Sequence, residues 1–120
     1  MGDSRSAFRR RMRRRDFLTS TAAGVRTNSR FFIAYVFDRA DGEAGRLGIT
    51  VTRKVGGAVQ RNRIKRLVRE WFRARRREFA SCDLVLIAKR GFPRSLRLAD
   101  VCSDLDPALR PPARRAPSSR

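Results

Sequence analysis

The stretch Gln60–Arg73, QRNRIKRLVREWFR, decides how the chain is read. At about 100° of rotation per residue, Ile64, Leu67, Val68, Trp71 and Phe72 fall at i, i+3, i+4, i+7 and i+8 and make one apolar stripe. The same rotation gathers Asn62, Arg66, Arg69 and Arg73 on the opposite side, flanked by Lys65 and Arg76. A stripe this regular needs a sheet to lie on. The cationic side is harder to account for, because between Gln60 and Arg77 only Glu70 is acidic and the opposite-charge pairs that support an ordinary solvated face are nearly absent. Self-repulsion of that kind is relieved by a polyanion.

Working outward, Gly56 and Gly57 precede the helix, which the pattern places at Ala58 to Glu78. Upstream, RFFIAYVFDRA (Arg30–Ala40) is dense in aromatic and β-branched residues, and RLGITVTRKV (Arg46–Val55) alternates Leu47, Ile49 and Val51 with polar or small neighbours. With DGEAG (Asp41–Gly45) between them, these two segments predict a hairpin. Phe31, Phe32 and Phe37 are read mainly as core. Downstream, CDLVLIAKRG (Cys82–Gly91) reads as a further strand, and SLRLADVCSDL (Ser95–Leu105) as a helix capped by Ser95. A short first helix is expected from Asp16, as N-cap, to Gly24, with Phe17 and Leu18 as anchors. Helices and strands in this order predict an α+β domain with one small sheet.

The 120 residues suffice for one domain. Residues 1–12 form an arginine-rich arm without a periodic apolar face, expected to stay mobile until it meets phosphate; residues 13–105 carry the domain; residues 106–120 are a basic, proline-rich tail expected to be disordered. Thirty Lys and Arg against 11 Asp and Glu give a net charge of +19 and a pI near 11.9, which points to nucleic acid or an anionic membrane surface. The longest apolar runs are short strands, against the roughly 18 residues of a membrane span, and the basic N-terminus is not followed by a signal-peptide h-region. The expected setting is cytoplasmic, with no membrane partner.

Cys82 and Cys102 lack the close paired spacing of a zinc site, and there is no histidine. Protein-borne catalysis at neutral pH would have to rest on carboxylates or lysine. Asp38, Asp41 and Glu43 fall in a turn region, and Asp100, Asp104 and Asp106 are spread along the last helix and its exit, so no cluster suited to metal-assisted hydrolysis is visible.

The longer segment RLGITVTRKVGGAVQRNRIKRLVREWFR, Arg46–Arg73, closely resembles the signature of the bacterial ribonuclease P protein component, and RRRDF (Arg13–Phe17) and DLVLIAKRG (Asp83–Gly91) extend the match more loosely. The resemblance implies a two-layer α/β sandwich whose small sheet contains an unusual left-handed βαβ crossover, with the Arg-Asn-Arg helix in the crossover. Pattern reading alone would not give that hand, since about 98% of such connections are right-handed. It also implies a role as the small subunit of a ribonucleoprotein that removes the 5′ leader of precursor tRNA, the catalytic RNA breaking the bond with magnesium held mainly by that RNA. No cofactor is expected on the protein alone, and no obligate protein partner. The family's RNA-contacting positions fall on Arg53, Lys54, Arg61, Asn62, Arg63, Lys65, Arg66 and Arg69, and its single-stranded leader cleft on Phe17 and Tyr35. Members often carry a second aromatic four residues after the first; here Thr21 stands in its place, implying weaker stacking on the leader. A general RNA-binding or ribosomal protein, or a dimeric regulator with the basic helix in a DNA major groove, are the rival classes.

Overall fold

In the computed structural model, which describes residues 12–109, the apolar run beginning at Cys82 becomes an interior strand, buried almost throughout as an unbroken run of this kind should be. The chain runs α1 (Arg14–Ala23), β1 (Val25–Asn28), β2 (Phe32–Asp38), β3 (Arg46–Thr50), α2 (Ala58–Arg75), a 3-10 turn (Arg76–Phe79), β4 (Cys82–Ala88) and α3 (Leu98–Ala108). The strands lie in the order β1-β2-β4-β3; β1 and β4 are antiparallel to β2, and β3 is parallel to β4. This is the expected mixed α and β class, with α2 in the crossover that joins the parallel pair.

The expected hairpin does not form, because β4 inserts between β2 and β3. The connection Arg39–Gly45 crosses the end of that strand, bridging two inter-strand spacings, about 10 Å. Ala40 and Gly42 have φ of 58° and 70°, so the segment turns as its composition promised. It is pinned to the intervening strand rather than closed on itself: Arg39 donates from Nη1 to the Cys82 carbonyl (3.1 Å) and from Nη2 to that of Ala44 (2.7 Å), and its amide reaches the Ser81 carbonyl (2.7 Å).

Phe32, Ala34 and Val36 of β2 alternate into the main core with Leu84 and Leu86 of β4, under the α2 stripe of Ile64, Val68, Trp71 and Phe72. The α-helix stops at Arg75, before the expected Glu78, because its final turn tightens to 3-10 geometry. That tightening delivers Phe79 to the core with its ring centroid 6.0 Å from those of both Trp71 and Phe72. On this side α2 and α3 cover the sheet. Helix α1 lies across the other face, where it adds a partial third layer.

Neither α1 nor α3 begins at its expected cap: α1 starts three residues before Asp16 would have set it, and α3 two residues after Ser95 would have. Arg13 and Arg97 are the N-cap residues, and the acid three positions on accepts from the cap amide: Asp16 Oδ2 from Arg13 N (2.7 Å), Asp100 Oδ2 from Arg97 N (2.8 Å). Asp16 therefore sits inside α1, and Ser95 outside α3. Gly24 does end α1, though not with left-handed backbone; its φ is −80°, and a β-carbon there would come within 2.5 Å of the Ser20 carbonyl oxygen and 2.9 Å of that of Val36.

The domain also extends past residue 105. Helix α3 continues to Ala108, Leu109 is buried, and Asp106 accepts hydrogen bonds from Trp71 Nε1 (2.9 Å) and from Arg75 Nε (2.6 Å) and Nη2 (2.7 Å). The arm and the tail, residues 1–11 and 110–120, lie outside the described residues. Asp106→Ala should lower stability by about 1–2 kcal/mol, since charge-assisted bonds are removed at a half-exposed site. Urea unfolding followed by the emission of the sole tryptophan checks this, and a change under a few tenths would return residue 106 to the tail.

Candidate nucleic-acid interface

The outer side of α2 carries exposed Asn62, Arg66, Arg69 and Arg73, with half-buried Arg61 and Lys65 along the adjacent ridge. Among the described residues, no carboxylate lies within 4.0 Å of Arg61, Arg63, Lys65, Arg66, Arg69 or Arg73. Arginines that hold the fold together behave differently. Arg39, Arg46 and Arg75 are each paired with one or more aspartates, and the guanidinium pKa of Arg46 and Arg75 is raised chiefly by hydrogen bonds to Asp83 and Asp106 respectively. Among the described residues, some arginines are thus compensated within the protein and others are presented outward.

Gly57 is the N-cap of α2 and has no side chain to bond the first turn, and no acid stands in that turn. The amides of Ala58, Val59 and Gln60 have no intrahelical acceptor, so donors and the positive end of the helix dipole coincide with the cationic ridge. Arg53 and Lys54 lie just ahead of it. They are exposed in the turn Thr52–Val55, closed by Val55 N to Thr52 O (3.0 Å), rather than at the end of a strand; β3 stops at Thr50. Of the eight residues expected to contact RNA, Arg63 departs most from the ridge: its Nη1 donates to the Arg94 carbonyl at 3.0 Å, and with Gln60 Nε2 on the Pro93 carbonyl (3.4 Å) it ties the loop before α3 to the start of α2.

On the other face of the sheet, the register aligns Arg26, Tyr35, Val85 and Gly48 in one row across all four strands. Phe17 of α1 caps that row: a β-carbon on Gly48 would lie 2.5 Å from Phe17 Cζ and 2.9 Å from Cε1, so only glycine lets the ring settle onto the strand. The next row is Asn28, Ile33, Ile87 and Thr50, none of its members fully buried. Phe17 and Tyr35 therefore lie on the sheet face that α1 crosses, both half-buried, and the space between helix and sheet there is the candidate groove. Thr21 also belongs to α1, and its hydroxyl is folded back onto the helix, donating to the carbonyls of Phe17 (3.0 Å) and Leu18 (3.2 Å). It offers no stacking surface.

Next to the candidate groove, on the same face, lies a charged cluster, in the row of Phe37, Asp83 and Arg46. Asp83, second residue of β4 and 2% exposed, accepts from Arg39 Nη1 (2.5 Å), Arg46 Nε (2.7 Å) and Arg46 Nη2 (2.9 Å). Arg46 Nη1 also reaches Asp16 Oδ2 at 3.4 Å, joining α1 to the sheet. The Arg13 amide, and then the charge of Arg46, hold the Asp16 carboxyl below its ordinary value against an opposing effect of burial. By pattern, Asp83 is merely the polar lead-in to an apolar strand; an acid one residue inside a run otherwise buried on both faces is the signal that points to its buried pairing.

The other aspartates also serve structure. Asp104 accepts from Ser29 Oγ (2.7 Å) and from the amides of Arg30 (2.8 Å) and Phe31 (3.0 Å), and Asp41 pairs with Arg39. Among the described residues no three His, Cys, Asp or Glu side chains come together as a metal site, and no helix is long and apolar enough to cross a membrane.

The model of the Ribonuclease P family matches residues 6–111. Two curated ribonuclease P protein components are similar at high coverage: that of Syntrophus aciditrophicus is 47% identical over 94 residues, covering 78% of this chain and 77% of its own, and that of Desulfovibrio desulfuricans is 42% identical over 113 residues, covering 91% and 87%. The solved ribonuclease P protein of Thermotoga maritima superposes with a TM-score of 0.72 at 32% identity, covering 82% of this chain and 94% of that one. With the family model spanning nearly the whole described domain, relatives at 42–47% identity and the crossover helix α2 between parallel β3 and β4, the chain belongs to the ribonuclease P protein component family.

Proposed function

We propose that this protein is the small subunit of a ribonuclease P ribonucleoprotein, binding the catalytic RNA through α2 and the single-stranded 5′ leader of precursor tRNA through the groove between α1 and the sheet. The observation that carries the reading is the uncompensated cationic ridge of α2 beside its uncapped N-terminus. Arg53, Lys54, Arg61, Asn62, Lys65, Arg66 and Arg69 would meet RNA phosphates and sugars there, arginine's planar fork suiting phosphate oxygens and asparagine both donating and accepting. Arg63 would share that surface from its flank while holding the 89–97 loop. Phe17 and Tyr35 would receive leader bases, and the engagement of the Thr21 hydroxyl supports weaker stacking at the second position.

Magnesium fits the RNA better than this chain. The aspartates that could gather a divalent ion are engaged with arginines or backbone amides, so the protein's contribution is to position the substrate and offset phosphate repulsion, which lowers the magnesium the complex needs. Catalysis would remain with the RNA, and the working complex would need no further protein.

The test is reconstitution. The full-length chain mixed with ribonuclease P RNA and precursor tRNA at low magnesium should restore cleavage at the mature 5′ end, and the protein without RNA should cleave nothing. If the RNA works equally well without the protein, or the protein cleaves alone, the proposal is wrong. A general RNA binder would retain affinity for the RNA and give no such stimulation.

A further inference from the structure

The groove has a second apolar occupant, contributed by the residue that joins the N-terminal arm to the domain. Met12 precedes α1, is half-buried, and brings its Sδ to 3.0 Å from the point where a Gly48 β-carbon would stand. The Phe17 ring lies 2.5 Å from the same point. Thioether and ring thus share one seat on the sheet, made available by the missing side chain at position 48, and a sulfur beside an aromatic edge is a favourable pairing.

We propose that Met12 and Phe17 together form the apolar platform of the groove, and that Met12 contacts a base of the single-stranded leader on the N-terminal side of the one that Phe17 receives. The inference rests on the groove being the leader site. Its physical basis is twofold. Both side chains are half-buried, not fully covered by the described residues, so a ligand in the groove can reach them. A thioether is unbranched and polarisable, so it can adapt to purine or pyrimidine faces without selecting among them. The platform would give sequence-tolerant affinity, as stacking on a single strand requires.

The experiment uses the reconstituted holoenzyme and compares affinity for a precursor tRNA bearing a leader of several nucleotides with affinity for the mature tRNA. Their ratio isolates the leader's share of binding. Met12→Ala should reduce the ratio by about threefold to tenfold, the scale of one thioether–ring interaction. Met12→Leu, which keeps an apolar side chain of similar volume, should stay within about twofold of wild type. A purely structural role would weaken both RNAs alike, through loss of the α1 anchor, and that outcome overturns the inference, as does an unchanged ratio in Met12→Ala. If the wild-type holoenzyme itself fails to favour the precursor, the leader assignment of the groove has failed, and the Met12 inference falls with it for a distinguishable reason.

Discussion

Asp83→Ala should cost this protein about 3–5 kcal/mol, enough to remove a large part of the 5–15 kcal/mol that a domain of this size has in total. The carboxylate is 2% exposed and takes three hydrogen bonds from two guanidinium groups, themselves largely shielded, with side-chain exposures of 11% for Arg39 and 15% for Arg46. Deleting it leaves two partly buried positive charges facing each other. The damage would spread, because Asp83 secures the loop that crosses β4, the edge strand β3 through Arg46, and α1 through the Arg46–Asp16 pair. Urea denaturation followed by circular dichroism gives the number. Replacing Arg39, Arg46 and Asp83 together with apolar residues of similar volume should recover much of it, since the penalty of an unpaired buried charge exceeds the net worth of the pair. A single-mutant effect below 1 kcal/mol would show the cluster to be better hydrated than its burial indicates.

That cluster also marks where sequence reading stops. The stripe of α2 is legible because Ile64, Val68, Trp71 and Phe72 answer to a local period, and all four are buried. Cys82–Ala88 is legible because it is continuous and apolar. The partner of each strand is not, since pairing is a property of the whole sheet: a turn-like DGEAG between two apolar runs satisfies a hairpin locally, and only a third strand competing for the same edge excludes it. Strand β1 escapes notice for a related reason. Val25–Asn28 carries one large apolar residue and owes its extended form to pairing with Ile33–Val36. The outer face of α2 can be read from charge alone, whereas the groove residues Phe17 and Tyr35 come only with the resemblance to a family. Gly48 and Met12 have no sequence signal, because what matters is the space one residue leaves for two others.

The second large effect concerns the outward arginines, and it turns on two measurements moving in opposite directions. Arg66→Ala with Arg69→Ala should weaken binding to ribonuclease P RNA by about tenfold to 100-fold near physiological salt and reduce the slope of log K against log salt by about 1.4–1.8, at roughly 0.7–0.9 for each phosphate no longer neutralised. The free protein should not suffer. Both side chains are exposed, neither has a carboxylate within reach among the described residues, and alanine is the better helix former. Arg69 stands one helical turn from both Lys65 and Arg73, so its removal relieves two like-charge repulsions and should hold or slightly raise the low-salt melting temperature. Arg75→Ala is the contrasting control: Arg75 binds Asp106 and lies over the Trp71 ring at 5.2 Å, so its removal should lower stability and leave the salt slope as it was. Charges kept for folding fail the stability test when removed, whereas charges kept for a polyanion fail only the binding test. An unchanged slope in the doubly substituted, fully folded protein would take the α2 ridge out of the RNA interface and leave its uncompensated repulsion without a physical reason.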